Sequence, residues 1–414
     1  MYNGVRHIQP THARVTPLEP TGTLKMSATS LYNLSPAVTL LGFGAAIGCL
    51  PLAWIWQRHR TAAPHRRRLA LVVMILFLTF DLILVGAFTR LTDSGLGCPD
   101  WPGCYGHSNP LKAHAEITAA QTAMPTGPVT HQKAWIEMAH RYLASGVGAL
   151  ILVMAALAWL DAIKARALPT AASVRGDGGA LPSAWWATAT LVWVCIQGAF
   201  GALTVTMKLF PAIVSLHLLG AYALVALLVV QATQWARVVG TLPTAETSTL
   251  PKRVRQALIA ALALLLLQAT SGAWVSTNYA VLVCAEFPTC QGSWWPDMNF
   301  AEAFSVWRPL GEHADGSIVS FQALTAIHVM HRLLALLTTL ALLALAWRFW
   351  RHKNLQRAAR LLAGVLALQV ATGLSNVVLD WPIAAAMVHS AGGAGLVAVL
   401  VWMLALTQSS QRPA

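Results

Sequence analysis

The sequence predicts an all-α polytopic membrane protein, built as two tandem homologous four-helix bundles plus one N-terminal accessory transmembrane helix. Three observations carry that expectation. The 414 residues are 56% apolar and only 10% charged, too little charge to cover a soluble domain of this length. Apolar runs long enough to cross a bilayer recur along the chain. Three motif blocks also occur twice, in the same order.

The first apolar run covers about 34–57. Eight more follow, near 69–91, 135–160, 184–207, 211–236, 256–277, 324–350, 357–379 and 383–407. The chain thus divides into a tail (1–33), an accessory helix (34–57), a basic linker (58–68), a first four-helix unit (69–238), a second (255–407) and a short tail (408–414). The first tail is polar, with scattered Pro and Thr, and is expected to be disordered. It holds no evident cleavable signal peptide, and Met26 is an alternative start.

A net charge of +13 would suit nucleic acid, but its distribution points elsewhere. Basic residues collect at Arg58, Arg60, Arg66, Arg67 and Arg68; at Lys164, Arg166 and Arg175; at Lys252, Arg253 and Arg255; and at Arg348, Arg351, Lys353, Arg357 and Arg360. These fall on every second connection, the positive-inside pattern of a bacterial inner membrane protein. Lipid is the expected partner and nucleic acid is not. The long loops 92–134 and 278–323 then lie on the outer side, with Asp93, Asp100, Glu116, Glu286, Asp297 and Glu302 in them. Trp101, Trp135, Trp294, Trp295, Trp307 and Trp381 fall near outer helix ends, as in an aromatic belt.

The repeat is read directly from the residues. Gly86-Ala87, Cys98, Pro102, Cys104 and Gly106 align without a gap onto Gly272-Ala273, Cys284, Pro288, Cys290 and Gly292. His140-Arg141 matches His331-Arg332. Gln197, Ala199, Gly201, His217 and Gly220 match Gln369, Ala371, Gly373, His389 and Gly392. Four helices per unit return the chain to one side, so the repeats run parallel about an axis near the membrane normal.

Five histidines fall inside predicted spans: His140, His217, His328, His331 and His389. Ionisable groups at such depth usually serve a function. His140 lies roughly 7–8 Å past Trp135 at 1.5 Å per residue, and His217, His331 and His389 share that level. Two imidazoles facing each other across a bundle suit the two axial positions of heme iron. Zinc or copper would want clustered Cys or carboxylate beside them. The plainer alternative is a hydrogen-bonded interior histidine at each position. Gly146, Gly148, Gly220, Gly392, Gly393 and Gly395 would admit a flat macrocycle, or simply pack helices closely. Arg90, Arg141 and Arg332 suit heme propionates as bidentate donors, or else snorkel at the interface.

The halves differ at one telling place. Glu137 stands three residues before His140, on its helix face, and His328 takes that position in the second half. A carboxylate in one half suggests a catalytic half and an electron-carrying half, with Glu137 as proton acceptor; a structural hydrogen bond is the alternative. Asp81 is expected to make a structural hydrogen bond, or to serve a proton path. Gln197 and Gln369 are expected to tie helices together. His107, His114, His131 and His313 are read as solvated loop residues. Cys98 with Cys104, and Cys284 with Cys290, share one spacing on the oxidising side, which allows two short structural disulfides or an exposed redox pair. Cys49 and Cys195 read as packing.

The run Gly86-Ala87-Phe88-Thr89-Arg90-Leu91-Thr92-Asp93-Ser94-Gly95-Leu96-Gly97-Cys98-Pro99-Asp100-Trp101-Pro102-Gly103-Cys104, followed by Trp135-Ile136-Glu137-Met138-Ala139-His140-Arg141, resembles the signature of the heme A synthase family. The likeness spans 69 to about 407, and the leading helix resembles an extension in some proteobacterial members. The resemblance implies an oxidoreductase of cytochrome oxidase assembly. In such an enzyme the C8 methyl of heme O is hydroxylated twice and loses water to become the formyl group of heme A. It implies heme O as substrate at His140 and His217, with Glu137 beside the reacting methyl, and heme b as cofactor at His331 and His389. It further implies redox handling by the first cysteine pair. Expected partners are heme O, the heme O synthase that makes it, and an electron acceptor that the sequence does not name; a homo-oligomer is compatible. A diheme quinol cytochrome and a heme transporter or chaperone are the alternatives.

Overall fold

The computed structural model describes residues 34–167, 181–242, 252–312, 316–351 and 355–406. The tails 1–33 and 408–414, together with Arg175, His313 and Lys353, lie outside the described residues. Eleven α-helices occur among the described residues, named here in chain order: α1 (Ser35–Arg58), α2 (Pro64–Leu91), α3 (His114–Ala123), α4 (His131–Ala167), α5 (Ala184–Thr206), α6 (Pro211–Val238), α7 (Lys252–Thr277), α8 (Phe300–Ala303), α9 (Phe321–Trp350), α10 (Gln356–Val378) and α11 (Ile383–Leu406). All but α3 and α8, nine in total, are long and apolar enough to cross a bilayer. The chain is a multi-pass membrane protein.

Local chemistry sets the helix ends. Pro64 and Pro211 sit at the first helical positions of α2 and α6, where a missing N–H costs nothing. Ser183 and Ser320 cap α5 and α9 by accepting from Trp185 N and Ala323 N. Tight turns at Lys208-Leu209 and Asp380-Trp381 join α5 to α6 and α10 to α11, with all four residues at positive φ. Two helices outrun the apolar windows. Where the sequence suggests 69–91 and 135–160, α2 begins at Pro64 and α4 runs from His131 to Ala167. Hydropathy stops where charge begins, but helices continue past it. Arg68 donates a bidentate pair to Asp161 at 2.7 and 3.1 Å, tying the extended ends together.

In the first part, α2 packs on α4, α4 on α5, α5 on α6 and α6 on α2. In the second, α7 packs on α9, α9 on α10, α10 on α11 and α11 on α7. α11 also meets α2 and α6, and α6 meets α7. Tyr222 Oη donates to Ser390 O (3.1 Å), Arg90 Nη2 to Ser276 O (2.5 Å) and Arg237 Nη2 to Ala405 O (2.5 Å) across that seam. In a hydrocarbon solvent such bonds have no competition from water.

Apolar side chains fill the end of the helices that carries the arginine clusters. One core joins Leu258, Leu342, Phe349, Leu362 and Leu400; another joins Ile75, Leu150, Ile151 and Leu228. Outward, Leu333, Leu336, Leu337 and Leu340 of α9 form an exposed stripe, which suits lipid tails. On α1, Gly44 rests against the Ser145–Gly146 backbone of α4, and Phe43 lies 5.3 Å from the Tyr142 ring. A Cβ on Gly44 collides with Ser145. Gly44→Leu is therefore expected to push α1 off α4 and cost about 1–3 kcal/mol, read as a lower midpoint of thermal unfolding in detergent. An unchanged midpoint would contradict this packing.

Candidate functional site

The four matched histidines stand on α4 (His140), α6 (His217), α9 (His331) and α11 (His389). His140 lies within electrostatic reach of His217, and His331 within reach of His389 and His328. Each ring rests on a glycine of the neighbouring helix. A Cβ built on Gly86 of α2 would stand 3.1 Å from His140 Cε1, and one on Gly201 of α5 3.3 Å from His217 Cε1. On Gly272 of α7 it would stand 3.0 Å from His331 Cε1, and on Gly373 of α10 2.8 Å from His389 Cε1. A Cβ on Gly373 would force the His389 ring to shift, and one on Gly86, Gly201 or Gly272 would need its ring to give by a few tenths of an ångström. All four rings are only half-buried, although the Nδ1 of His140 is shut off from solvent.

The glycines that the sequence suggested for a macrocycle do other work. Gly220 and Gly392 are filled by the Gln197 and Gln369 side chains, Gly393 by the Tyr222 hydroxyl, and Gly146 by α1. Gly395 makes an ordinary contact with Val365, and Gly148 faces open space. The glycines facing the imidazoles were visible in the sequence only as repeat markers. The signal that could have found them is their pairing, since each falls on the helix preceding its histidine.

Hydrogen bonds around the rings differ between the halves. His331 Nδ1 meets Ser271 Oγ at 2.9 Å and Gln268 Nε2 at 3.1 Å. His389 Nδ1 meets Gln369 O at 3.1 Å and Thr372 Oγ1 at 3.3 Å. His217 Nδ1 meets only the Gln197 amide, at 3.2 Å, among the described residues. His140 Nδ1 has no partner among them. Gln197 and Gln369 do tie helices, α5 to α6 and α10 to α11. Asp81, half-buried on α2, has no hydrogen-bond partner among the described residues, against the structural bond expected of it.

Glu137 and the arginines hold the loops above the rings. Glu137 Oε2 accepts from Cys98 N at 2.8 Å, and Oε1 pairs with Arg141 Nη2. Arg141 Nη1 also donates to the carbonyls of Asp100 (2.9 Å), Pro102 (3.3 Å) and Gly103 (2.5 Å). Arg332 makes the counterpart set, to Cys284 O, Glu286 O and Thr289 O. His328, at the Glu137 position, bonds Ala280 O through Nδ1 at 2.8 Å. Arg90 bonds Asp93 and lies 4.2 Å over the Tyr279 ring, whose hydroxyl donates to Asp93 at 2.7 Å. Burial pushes that phenol upward in pKa. The Gly292 N–H bonded to Glu286 holds its carboxyl below the usual range.

Both cysteine pairs are bonded, Cys98–Cys104 and Cys284–Cys290, and all four residues are buried. A thiol partner reaches neither pair unless the loop opens. Of the loop histidines, His107 lies 3.6 Å from Glu116, while the His114 and His131 rings lie tilted with centroids 4.5 Å apart. Cys49 and Cys195 are exposed rather than packed inside, as lipid-facing residues are.

The donor set fits heme better than a bare ion. Among the described residues no three His, Cys, Asp or Glu side chains gather as a metal site, whereas the four matched histidines stand one each on α4, α6, α9 and α11. The half-buried rings and the partnerless His140 Nδ1 fit a flat ligand entering between the helices.

Comparison with known proteins agrees. The model of the COX15-CtaA family, described as cytochrome oxidase assembly protein, matches residues 67–401. The chain is 36% identical over 333 residues to the heme A synthase of Shewanella oneidensis, covering 80% of this chain and 94% of that protein. It is 27% identical over 373 residues to the heme A synthase of Rhizorhabdus wittichii, covering 83% and 95%. A match spanning both histidine pairs and both loops leads to one conclusion: the chain belongs to the COX15-CtaA family of cytochrome oxidase assembly proteins.

Proposed function

We propose that this protein is a heme A synthase, an oxidoreductase that converts heme O to heme A, and that its two four-helix units are duplicated halves with separate tasks. The observation that carries the reading is the fourfold recurrence of an imidazole seated on a glycine, two per half, at matched positions. We assign His140 and His217 to the substrate heme O, and His331 and His389 to a heme b cofactor. The arginine clusters face the cytoplasm, and the histidine ends and long loops face the periplasm.

When bound, the hemes supply the redox chemistry that turns the C8 methyl into a formyl group and draws electrons away through the second half. The residues of the chain supply placement. His140 and His217 fix the plane and depth of the substrate. Arg141 and Arg332 hold the disulfide loops over the two sites by their carbonyl contacts, and we assign these two and Arg90 to the propionates as well. Glu137 sits where loop and His140 helix meet, and we assign it to the reacting edge of the substrate. Its oxygens are tied to Cys98 N and Arg141, so protonation there weakens both bonds and links proton transfer to loop position.

The direct test is expression in cells that already make heme O, followed by mass analysis of extracted porphyrins. Heme A is the expected product, and heme O unchanged beside well-loaded protein would refute the reading. Glu137→Gln keeps an acceptor for Cys98 N but removes the charge facing Arg141. Heme content should persist while heme A output falls about 10²-fold or more; normal output would remove Glu137 from catalysis. His331→Ala should abolish the low-spin heme b spectrum while leaving the protein inserted, and an unchanged spectrum would refute that ligand.

A further inference from the structure

The hydroxyl groups beside the second pair of histidines have a fixed direction. Ser271 Oγ donates its proton to Gln268 O, one turn back on α7, at 2.7 Å. Thr372 Oγ1 donates to Leu368 O on α10 at 2.8 Å. A hydroxyl carries one proton. With that proton held by a helix carbonyl, each oxygen can only accept from the imidazole. Thr372 Oγ1, 3.3 Å from His389 Nδ1, therefore selects the tautomer protonated on Nδ1, and Ser271 Oγ, 2.9 Å from His331 Nδ1, favours it there against the Gln268 amide nitrogen 3.1 Å away. Gln369 O, 3.1 Å from His389 Nδ1, selects the same tautomer. In both rings Nε2 keeps its lone pair, toward which the Gln369 amide nitrogen points from 3.4 Å in His389.

The first half lacks these acceptors. By the repeat alignment, Val85 stands where Ser271 stands and Phe200 where Thr372 stands. Neither side chain can accept a hydrogen bond. His140 Nδ1 is buried without a partner among the described residues.

We propose that Ser271 and Thr372 are positioning residues that lock His331 and His389 as permanent iron ligands, while Val85 and Phe200 leave the first-half ligands unlocked so that its pigment exchanges. The proposal rests on the assignment of heme b to the second half. An acceptor at Nδ1 fixes ring orientation and raises the basicity of the ligating nitrogen, and its loss typically weakens metal binding 10–100-fold. A more basic imidazole favours ferric iron. A cofactor must stay through every turnover, whereas a substrate must leave as product, and the two hydroxyls separate those needs.

The test uses full-length protein purified with its heme. The readouts are redox titration of the low-spin Soret band and the rate of heme loss to apomyoglobin. Ser271→Ala with Thr372→Val should raise the ferrous-to-ferric ratio of the second-half heme about tenfold at fixed potential, ~59 mV for one electron, and speed its loss about 10-fold or more. Ser271→Thr with Thr372→Ser should restore both. Val85→Ser, which places an acceptor opposite His140, should slow pigment loss from the first half. A wild-type protein without any low-spin heme would sink the assignment of heme b. Low-spin heme with unchanged potential and retention in the double variant, or a change confined to the first-half pigment, would overturn this proposal alone. Should the double variant fail to insert, an unaltered first-half loss rate in Val85→Ser would overturn it equally.

Discussion

An imidazole lying against a bare α-carbon is the contact on which this molecule is organised. Within hydrocarbon a polar ring gains nothing from the surroundings, so its position must come from the protein. At Gly86, Gly201, Gly272 and Gly373 the neighbouring helix comes close enough to act as a floor for the ring. That contact sets helix separation at the histidine level. The leucine cores then close the opposite ends of the bundles. The loops close the near end, drawn down by Arg141 and Arg332.

Much of this was legible in the residues. Spans, basic clusters and the duplicated blocks are long, strongly patterned signals, and they place helices to within a few residues except at the charged ends of α2 and α4. The four histidines stand out because charge-bearing groups are rare in apolar runs. What stayed hidden depends on rotation about a helix axis. Gly220 and Gly201 look alike in the sequence, yet one receives the Gln197 side chain and the other supports the His217 ring. Glu137 reads as a proton acceptor or a structural hydrogen-bond partner, and its two oxygens meet Arg141 and, unforeseen, Cys98 N. Only the loop fold, formed by residues some forty positions away, brings Cys98 to it.

The motif blocks recur in the sequence, but the groups beside them diverge. Val85 and Ser271, Phe200 and Thr372, and Glu137 and His328 differ in chemistry, yet all six lie within helices. The glycines under the rings and the arginines bonded to the loops recur, while the groups beside the rings differ.

Helix α1 has no counterpart in the second half. It lies along α4 through Gly44 and Gly48, while α9, which corresponds to α4, turns bare leucines outward. Two matching halves would present matching flanks to the bilayer. Here one flank is sheathed by protein and the other is wetted by acyl chains, so a greasy molecule drifting in the membrane meets different shores on the two sides.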